Sequence, residues 1–342
     1  MKTLHLDLPR GGYDIYIGSG ILSRAAELFD LRRRVIVLTD TGVPEEYAKA
    51  VAALADEARI VTLPMGEGSK SFSGLETVCR EMLDFGLTRT DCLISVGGGV
   101  VGDLGGFAAA SYMRGIDFYN VPTTLLSQLD SSIGGKTAIN LDSTKNIIGA
   151  FHQPRAVLID TETLKTLPGR QISAGLAEAV KMAVTSDAEL FGIIEREGVT
   201  DENLETVILR SLMIKKAVVE EDERESGLRK VLNFGHTLGH GIEAVEGLSG
   251  LYHGECVALG MIPMCGRKIR ERVYRVLSAL SLPMDHVFEL DAALSYISRD
   301  KKCSGDFVSA VFADDIGSFR IEKMPISELV FYIREQSEEI GK

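Results

Sequence analysis

The sequence predicts an α/β protein in two parts: a Rossmann-like domain with a mostly parallel sheet, then a mainly α-helical domain. Three observations predict it. Short apolar runs alternate with helical patterns through the first half. Those runs do not alternate polar and apolar residues, as expected of strands buried on both faces. After about residue 160 the pattern changes to long segments of 3.6-type periodicity.

Taken in order, residues 34–39 (RVIVLT) are an apolar run ending at Asp40, and residues 44–57 carry a helical pattern. Residues 59–63 read as a strand and 72–85 as a helix. Residues 92–96 read as a buried strand running into Gly97-Gly98-Gly99, and 117–121 and 156–159 as further strands. Strands separated by helices imply βαβ units and a parallel sheet. Beyond residue 160, helices are expected over 173–184, 202–221, 231–245, 254–272 and 284–298. Only 307–312 and 318–321 read as strands there, as one hairpin. The domains are placed at 1–165 and 166–342, with no Pro/Gly linker marking the boundary.

The composition narrows the class. With 342 residues, 45% hydrophobic and 25% charged, the chain is ordinary globular material, which excludes disorder, coiled coil and collagen. Its length suits two domains at ~150 residues each. Lys and Arg number 37 against 49 Asp and Glu, a net charge of −12. That balance argues against a nucleic-acid or anionic-membrane partner, either of which needs a basic face. No apolar stretch reaches ~18 residues, so no membrane span is expected. The five cysteines are odd in number and lack a CxxC pair, so they read as reduced thiols of a cytoplasmic protein. The N-terminal MKTLHLDLPRGG has no apolar signal-peptide core.

Residues 93–103, LISVGGGVVGD, place a buried strand, three glycines and a helix start in succession. Glycines let a ligand approach the backbone, and a helix N-terminus offers unpaired N–H groups, so the combination suits a pyrophosphate. Gly97, Gly99 and Gly102 have G-x-G-x-x-G spacing, but no clear acidic residue follows about 20 positions on. A tight structural turn is the alternative. Asp40 suits either a ribose hydroxyl or a helix N-cap. Gly134-Gly135-Lys136-Thr137 resembles the tail of a P-loop, yet Asp130 stands where the first glycine should be, so this is not a Walker ATPase.

Three of the six histidines fall between 236 and 253. His236 and His240 are four apart on an expected helix and project on one side, which pairs them as joint metal ligands. An antiparallel return would bring His253 beside His236. A carboxylate from Glu178, Glu243 or Glu255 would complete three protein ligands and leave a position open for substrate, as catalytic Zn²⁺ requires. Ordinary core or surface histidines are the plainer alternative. Lys136, Lys145, Lys181, Lys215, Arg229, Lys301 and Lys302 lie in small-residue contexts. Each alone reads as a solvated cation; together they suit a substrate with a phosphate and a carboxylate.

The blocks VGGGVVGDLGGFAAASYMRG, DSSIGGKTAIN, KNIIGAFHQP, GLAEAVK, LNFGHTLGH, YHGE and DKK occur in this order between about residues 65 and 305. This series resembles the 3-dehydroquinate synthase family. The resemblance implies a lyase of the shikimate pathway that converts 3-deoxy-D-arabino-heptulosonate 7-phosphate into 3-dehydroquinate and phosphate. It implies a recycled NAD⁺ and one divalent metal, Zn²⁺ or another such as Co²⁺. The implied steps are C5 oxidation, phosphate elimination, reduction, ring opening and aldol closure, in an active site in the interdomain cleft.

By resemblance, Glu178, His236 and His253 hold the metal, and His240 moves from the metal to the substrate. Lys136, Asn146, Lys301 and Lys302 are implied around the phosphate, and Lys215 and Arg229 on the carboxylate. Asp130, Lys181 and Asn233 match substrate-hydroxyl contacts. Asp40, Glu67, Lys70, Gly98, Gly99, Val100, Asp103, Thr123, Thr124 and Lys145 match the NAD site. Arg114 matches an arginine that reaches a neighbouring subunit's site, which implies a homodimer. One departure is Gly42, where the family commonly has Asn, and one adenosine contact is expected to weaken. Other readings are a different sugar-phosphate cyclase, a metal-dependent alcohol or glycerol dehydrogenase of the same fold, and a nucleotide-binding regulator without chemistry. Lys215, Arg229, Asn233 and His240 argue against a carboxylate-free sugar phosphate. His5, His152 and His286 receive no role.

Overall fold

The computed structural model describes all residues except 10, 143, 248–249, 298–305 and 341–342, and only the backbone at 338–340. The chain divides into two compact units, Met1–Pro168 and Gly169–Lys342.

The first unit runs β1 (Lys2–Leu6), β2 (Tyr13–Gly18), α1 (Ala25–Leu28), β3 (Arg34–Asp40), α2 (Glu45–Ala52), β4 (Glu57–Leu63), α3 (Phe72–Asp84), β5 (Cys92–Gly97), α4 (Gly99–Ser111), β6 (Asp117–Pro122), β7 (Lys136–Leu141), β8 (Thr144–Phe151) and β9 (Ala156–Asp160). Seven strands form one sheet in the order β1-β2-β9-β6-β5-β3-β4. Every pairing in it is parallel except β1 with β2. Alternate residues of one strand serve opposite faces. Val35 and Val37 join Ala48, Val51 and Ile94 in one core, while Ile36 and Leu38 join Val78, Met82 and Leu104 in the other. Two covered faces explain why these strands read as unbroken apolar runs.

Besides the short helix α1, which was not anticipated, two features of this unit differ from the sequence reading. Strands β1 and β2 were not anticipated, although Tyr13, Ile15 and Ile17 are buried on one face of β2. Nor was the antiparallel β7–β8 hairpin, whose second strand is largely exposed and carries no clear alternation. Its inward anchors are Thr137 and Ile139, and Thr137 lies against Gly106 of α4, where a Cβ would come within 2.4 Å of its methyl.

The second unit runs α5 (Gly169–Ser186), α6 (Ala188–Glu197), α7 (Leu204–Glu221), α8 (His236–Glu246), α9 (His253–Met261), α10 (Arg267–Ala279), α11 (Leu290–Ile297), β10 (Phe307–Phe312), β11 (Arg320–Pro325) and α12 (Ile326–Ile340). Among the described residues it is mainly helical, with one antiparallel hairpin. Helices α6 and α12 were not anticipated. Asp187 caps α6 by accepting from Glu189 N and Leu190 N, and Gly198 ends it at φ +67°.

Three expected helices are shorter than their periodicity implied. The stretch 231–245 breaks into a 3₁₀ turn (Leu228–Asn233) and α8, because Gly235 between them is left-handed at φ +78°. The stretch 254–272 breaks at Pro263 and Gly266, which separate α9 from α10. The stretch 284–298 is helical only from Leu290, as far as it is described. No helix among the described residues is long and apolar enough to cross a membrane.

Helices α5, α8 and α9 touch backbone to backbone. A Cβ on Gly254 would lie 1.8 Å from the Ala174 carbonyl oxygen, and one on Gly260 would lie 2.1 Å from that of Gly235. Only glycine permits such approach. These contacts bring together the helix ends that carry the histidines.

Candidate active site

In the second unit, His236 and His253 are the first residues of α8 and α9, and Glu178 lies within α5. Glu178 is 1% exposed. Its Oε1 lies 3.7 Å from His236 Nε2 and 3.6 Å from His253 Nε2. That oxygen is buried and makes no hydrogen bond among the described residues. Ligands around a tetrahedral Zn²⁺ sit about 3.3 Å apart, given bonds of about 2.0–2.1 Å. A buried, unpartnered carboxylate oxygen at that spacing from two imidazole nitrogens fits a divalent metal.

The far side of each ring is held as metal ligands require. His236 Nδ1 meets the Phe234 carbonyl at 3.2 Å, and His253 Nδ1 meets Glu243 Oε2 at 3.1 Å. Glu243 therefore stands behind His253. Glu255 points elsewhere: it pairs with Arg170 at 2.7 Å and accepts from Tyr252 N at the start of α9. Of the three candidate carboxylates, Glu178 alone faces both rings.

His240 lies in the same cluster. Its ring centroid is 5.3 Å from that of His236 and 5.8 Å from that of His253, and ligand atoms of the three lie within 4.8 Å of one another. Burial opposes ionisation of Glu178, but Lys181 and His253 outweigh it and hold the carboxyl at about 2. Burial likewise opposes protonation of His253, while Glu178 and Glu243 raise it to about 9.

Among the described residues of this unit three cations are buried: Lys181 at 2%, Lys215 at 4% and Arg229 at 2% exposure. Lys181 pairs with Glu178 one turn away on α5. Burying a cation costs several kcal/mol unless an anion meets it. Arg229 donates to the Glu223 carbonyl, and Asn233 Nδ2 donates to Glu225 Oε1 at 2.7 Å. Glu225 and Asp222 were missed in the sequence, where the acidic run after α7 resembles a solvated loop. The left-handed φ of +62° at Glu225 is not visible in sequence. Lys301 and Lys302 lie outside the described residues.

In the first unit, β3 leads outward to β4, and the chain then returns to β5 on the other side of β3. That reversal is where open α/β sheets bind ligands, beyond the carboxyl ends of their strands. Asp40 ends β3 there, and the triple glycine carries the chain from the end of β5 into α4. Gly98 caps α4 without a side chain. A Cβ on Gly98 would lie 3.0 Å from the Thr124 methyl, and one on Gly99 would lie 3.1 Å from Ser131 Oγ. Val100 follows in the first turn of α4. This bare helix start fits a dinucleotide pyrophosphate.

Asp40 is not a helix cap, since α2 begins only at Glu45; its Oδ1 accepts from Gly42 N at 2.8 Å. Burial pushes its carboxyl up, and backbone donors partly offset this. The space a side chain at 42 would take is filled by Met65, whose Sδ would be 2.5 Å from such a Cβ. Thr123 N donates to the Gly97 carbonyl, and the Thr124 and Ser127 hydroxyls meet at 2.8 Å. The following turn, Ser127–Ser131, is π-helical and carries Asp130.

Lys70 is 5% exposed and donates at 2.5 Å to both Asp103 Oδ2 and Asn146 Oδ1. Glu67 accepts from Asn140 Nδ2 at 2.8 Å, and Asn146 N donates to Asn140 Oδ1 at 2.9 Å. Asn146 therefore joins Lys70 and Asp103, two residues implied for NAD. Asn140, which links the group, was not anticipated. Lys136 and Lys145 on the β7–β8 hairpin are exposed, as is Arg114, left-handed at φ +70° after α4.

Comparison with known proteins identifies the family of the chain. The model of the 3-dehydroquinate synthase N-terminal domain matches residues 60–174, and that of the C-terminal domain matches residues 175–303. A 3-dehydroquinate synthase of Geobacter metallireducens is 43% identical, covering 96% of this chain and 98% of its own. A crystal structure of 2-deoxy-scyllo-inosose synthase complexed with carbaglucose-6-phosphate, NAD⁺ and Co²⁺ is 27% identical, with a TM-score of 0.88 over 98% of this chain and 100% of that one. The 2-epi-5-epi-valiolone synthase ValA of Streptomyces hygroscopicus, with NAD⁺ and Zn²⁺ bound, has a TM-score of 0.86 at 27% identity, over 97% and 99% of the two chains. With two buried-site constellations on one fold and full-length relatives of one kind, the chain belongs to the 3-dehydroquinate synthase family.

Proposed function

We propose that this chain converts 3-deoxy-D-arabino-heptulosonate 7-phosphate into 3-dehydroquinate and phosphate, the activity after which its family is named. The observation that carries the reading is the convergence of Glu178, His236 and His253 in a unit that also buries Lys181, Lys215 and Arg229. Glu178, His236 and His253 hold the divalent metal, and the glycine turn with Asp40, Glu67, Lys70, Asp103, Thr123, Thr124 and Lys145 holds NAD⁺. When bound, NAD⁺ supplies a hydride acceptor that is regenerated within the cycle, and the metal supplies Lewis-acid polarisation of a substrate hydroxyl.

The chain's own residues bind and orient. Lys215 and Arg229 hold the carboxylate, where a planar guanidinium suits bidentate recognition. Asp130, Lys181 and Asn233 hold hydroxyls, and His240 contacts the substrate. Lys136, Asn146, Lys301 and Lys302 hold the phosphate, so that its own oxygens are placed to take the proton lost as it leaves. Residues 1–165 form the nucleotide domain and 166–342 the metal and substrate domain. The protein works as a cytoplasmic homodimer, with Arg114 reaching the neighbouring subunit's site.

Purified, metal-loaded protein is expected to release phosphate from the heptulosonate phosphate only with NAD⁺, to stop when a chelator removes the metal, and to accumulate no NADH. The same preparation is expected to scatter light as a dimer. Absence of phosphate release overturns the reading. Faster turnover of sedoheptulose 7-phosphate, which lacks the carboxylate, points instead to another cyclase.

A further inference from the structure

Asp222 closes helix α7, the helix that carries Lys215, and its N–H donates to the Val218 carbonyl at 3.0 Å. Asp222 is 8% exposed, and its carboxylate accepts four hydrogen bonds from one short segment. Oδ1 accepts from Ser226 N at 2.8 Å and Ser226 Oγ at 3.0 Å. Oδ2 accepts from Gly227 N at 2.6 Å and Arg229 N at 3.0 Å. The chain between folds back on itself, with Glu225 meeting Asn233 and Glu223 accepting from the Arg229 guanidinium. Three backbone N–H groups on one ionised carboxylate form charge-assisted bonds, about twice as strong as neutral ones.

We propose that Asp222 is a positioning residue that sets substrate specificity: by gathering the backbone of residues 226–229 it locks the Arg229 guanidinium in register with Lys215, so that both cations meet one carboxylate. The inference rests on the reading that Lys215 and Arg229 bind the substrate carboxylate. The physical argument is local. Asp222 is joined to the helix of one cation through the chain, and to the backbone of the other through its Oδ2. Loss of its acceptors releases the backbone that carries Arg229, and a shift of ~1 Å is enough to spoil bidentate recognition. Burial opposes ionisation of Asp222, yet the Gly227, Ser226 and Arg229 donors hold its carboxyl at about 2, so the clamp stays charged at neutral pH.

The test uses the holoenzyme. Asp222→Asn turns an NH₂ group toward N–H donors. It is expected to raise KM for the heptulosonate phosphate about tenfold and to change kcat less than about threefold. Metal content and NAD⁺ affinity by calorimetry should stay as in the wild type. Inhibition by sedoheptulose 7-phosphate, which has no carboxylate, should be unchanged. Combined with Arg229→Ala, the substitution should add nothing to the loss from Arg229→Ala alone.

A wild-type KM, equal weakening of both ligands, or additive losses overturn the proposal. If Asp222→Asn does not fold, Ser226→Ala removes only the hydroxyl bond and should raise the same KM about twofold; no rise there overturns it as well. A wild-type enzyme inert toward the heptulosonate phosphate overturns the parent reading and this one with it. An active wild type with an unaffected Asp222→Asn overturns this one alone.

Discussion

His253 shows what a single residue carries. It stands at the head of α9 between Glu178 and Glu243, with Nε2 toward the first and Nδ1 on the second. In the proposed ligand set it is one of three, and removing one of three metal ligands opens a site. His253→Ala is therefore expected to lose bound metal, read by elemental analysis, and to lower turnover by at least about a hundredfold. Full metal occupancy in that variant would remove His253 from the ligand set. The other three histidines have ordinary partners: His5 pairs with Asp14 at 2.7 Å, His152 meets the Ile116 carbonyl at 3.0 Å, and His286 meets Glu246 at 3.0 Å. In sequence all six looked alike except in spacing. Spacing placed His236 beside His240 correctly on one side of α8, but could not say which carboxylate faces them. Glu178 lies 58 positions before His236 in a helix of its own, so its approach is a tertiary fact.

At the scale of elements, the site depends on how closely three helices pack. Gly254 sits against the Ala174 carbonyl, and an added methyl would lie 1.8 Å from that oxygen. Gly254→Ala is expected to force α9 away from α5, to cost about 1–3 kcal/mol of unfolding free energy, read as a lower urea midpoint, and to weaken metal binding because His253 is the preceding residue. An unchanged midpoint with full metal content would show that the helices tolerate separation. Two of the strands the sequence concealed, β8 and β1, share a physical cause. Strand β8 is mostly exposed and β1 lies at the sheet edge, so neither shows the continuous apolar run of β3 or β5. Helices α8 and α9 were read too long because periodicity persists through Gly235 and Pro263. A left-handed residue and a missing N–H end a helix without disturbing the apolar pattern.

Across the whole molecule, the net charge of −12 and the anionic ligands are compatible. Net charge describes the outer field, whereas Lys181, Lys215 and Arg229 are cations held at buried positions, where charge is felt at close range. The acidic side of that balance sets the response to pH. Asp222 is held at about 2, and Asp91, Asp117 and Asp187 are also lowered; burial opposes each, but hydrogen bonds and cations outweigh it. A carboxylate depressed in the folded state stabilises above its unfolded pKa near 4, and that contribution is lost as pH falls through the folded value. Urea midpoints are expected to hold from pH 7 to about 5 and to drop steadily from about 4 toward 2. A flat profile in that window would show that these carboxyls titrate normally in the folded protein.

What the sequence determined by itself was the fold class and the chemical inventory. Doubly buried strands such as β3 and β5 need continuous apolar runs, and a pyrophosphate-sized turn needs glycine, so both are written in residue type and order. The histidine cluster and the scattered cations were likewise legible as a set. Only the tertiary structure decided which groups meet. It chose Glu178 over Glu243 and Glu255, placed Asn146 on Lys70, and used Asp222 to fold the segment that carries Arg229. Those choices depend on backbone approach at glycines and on hydrogen bonds between distant segments, and neither leaves a periodic trace in the chain.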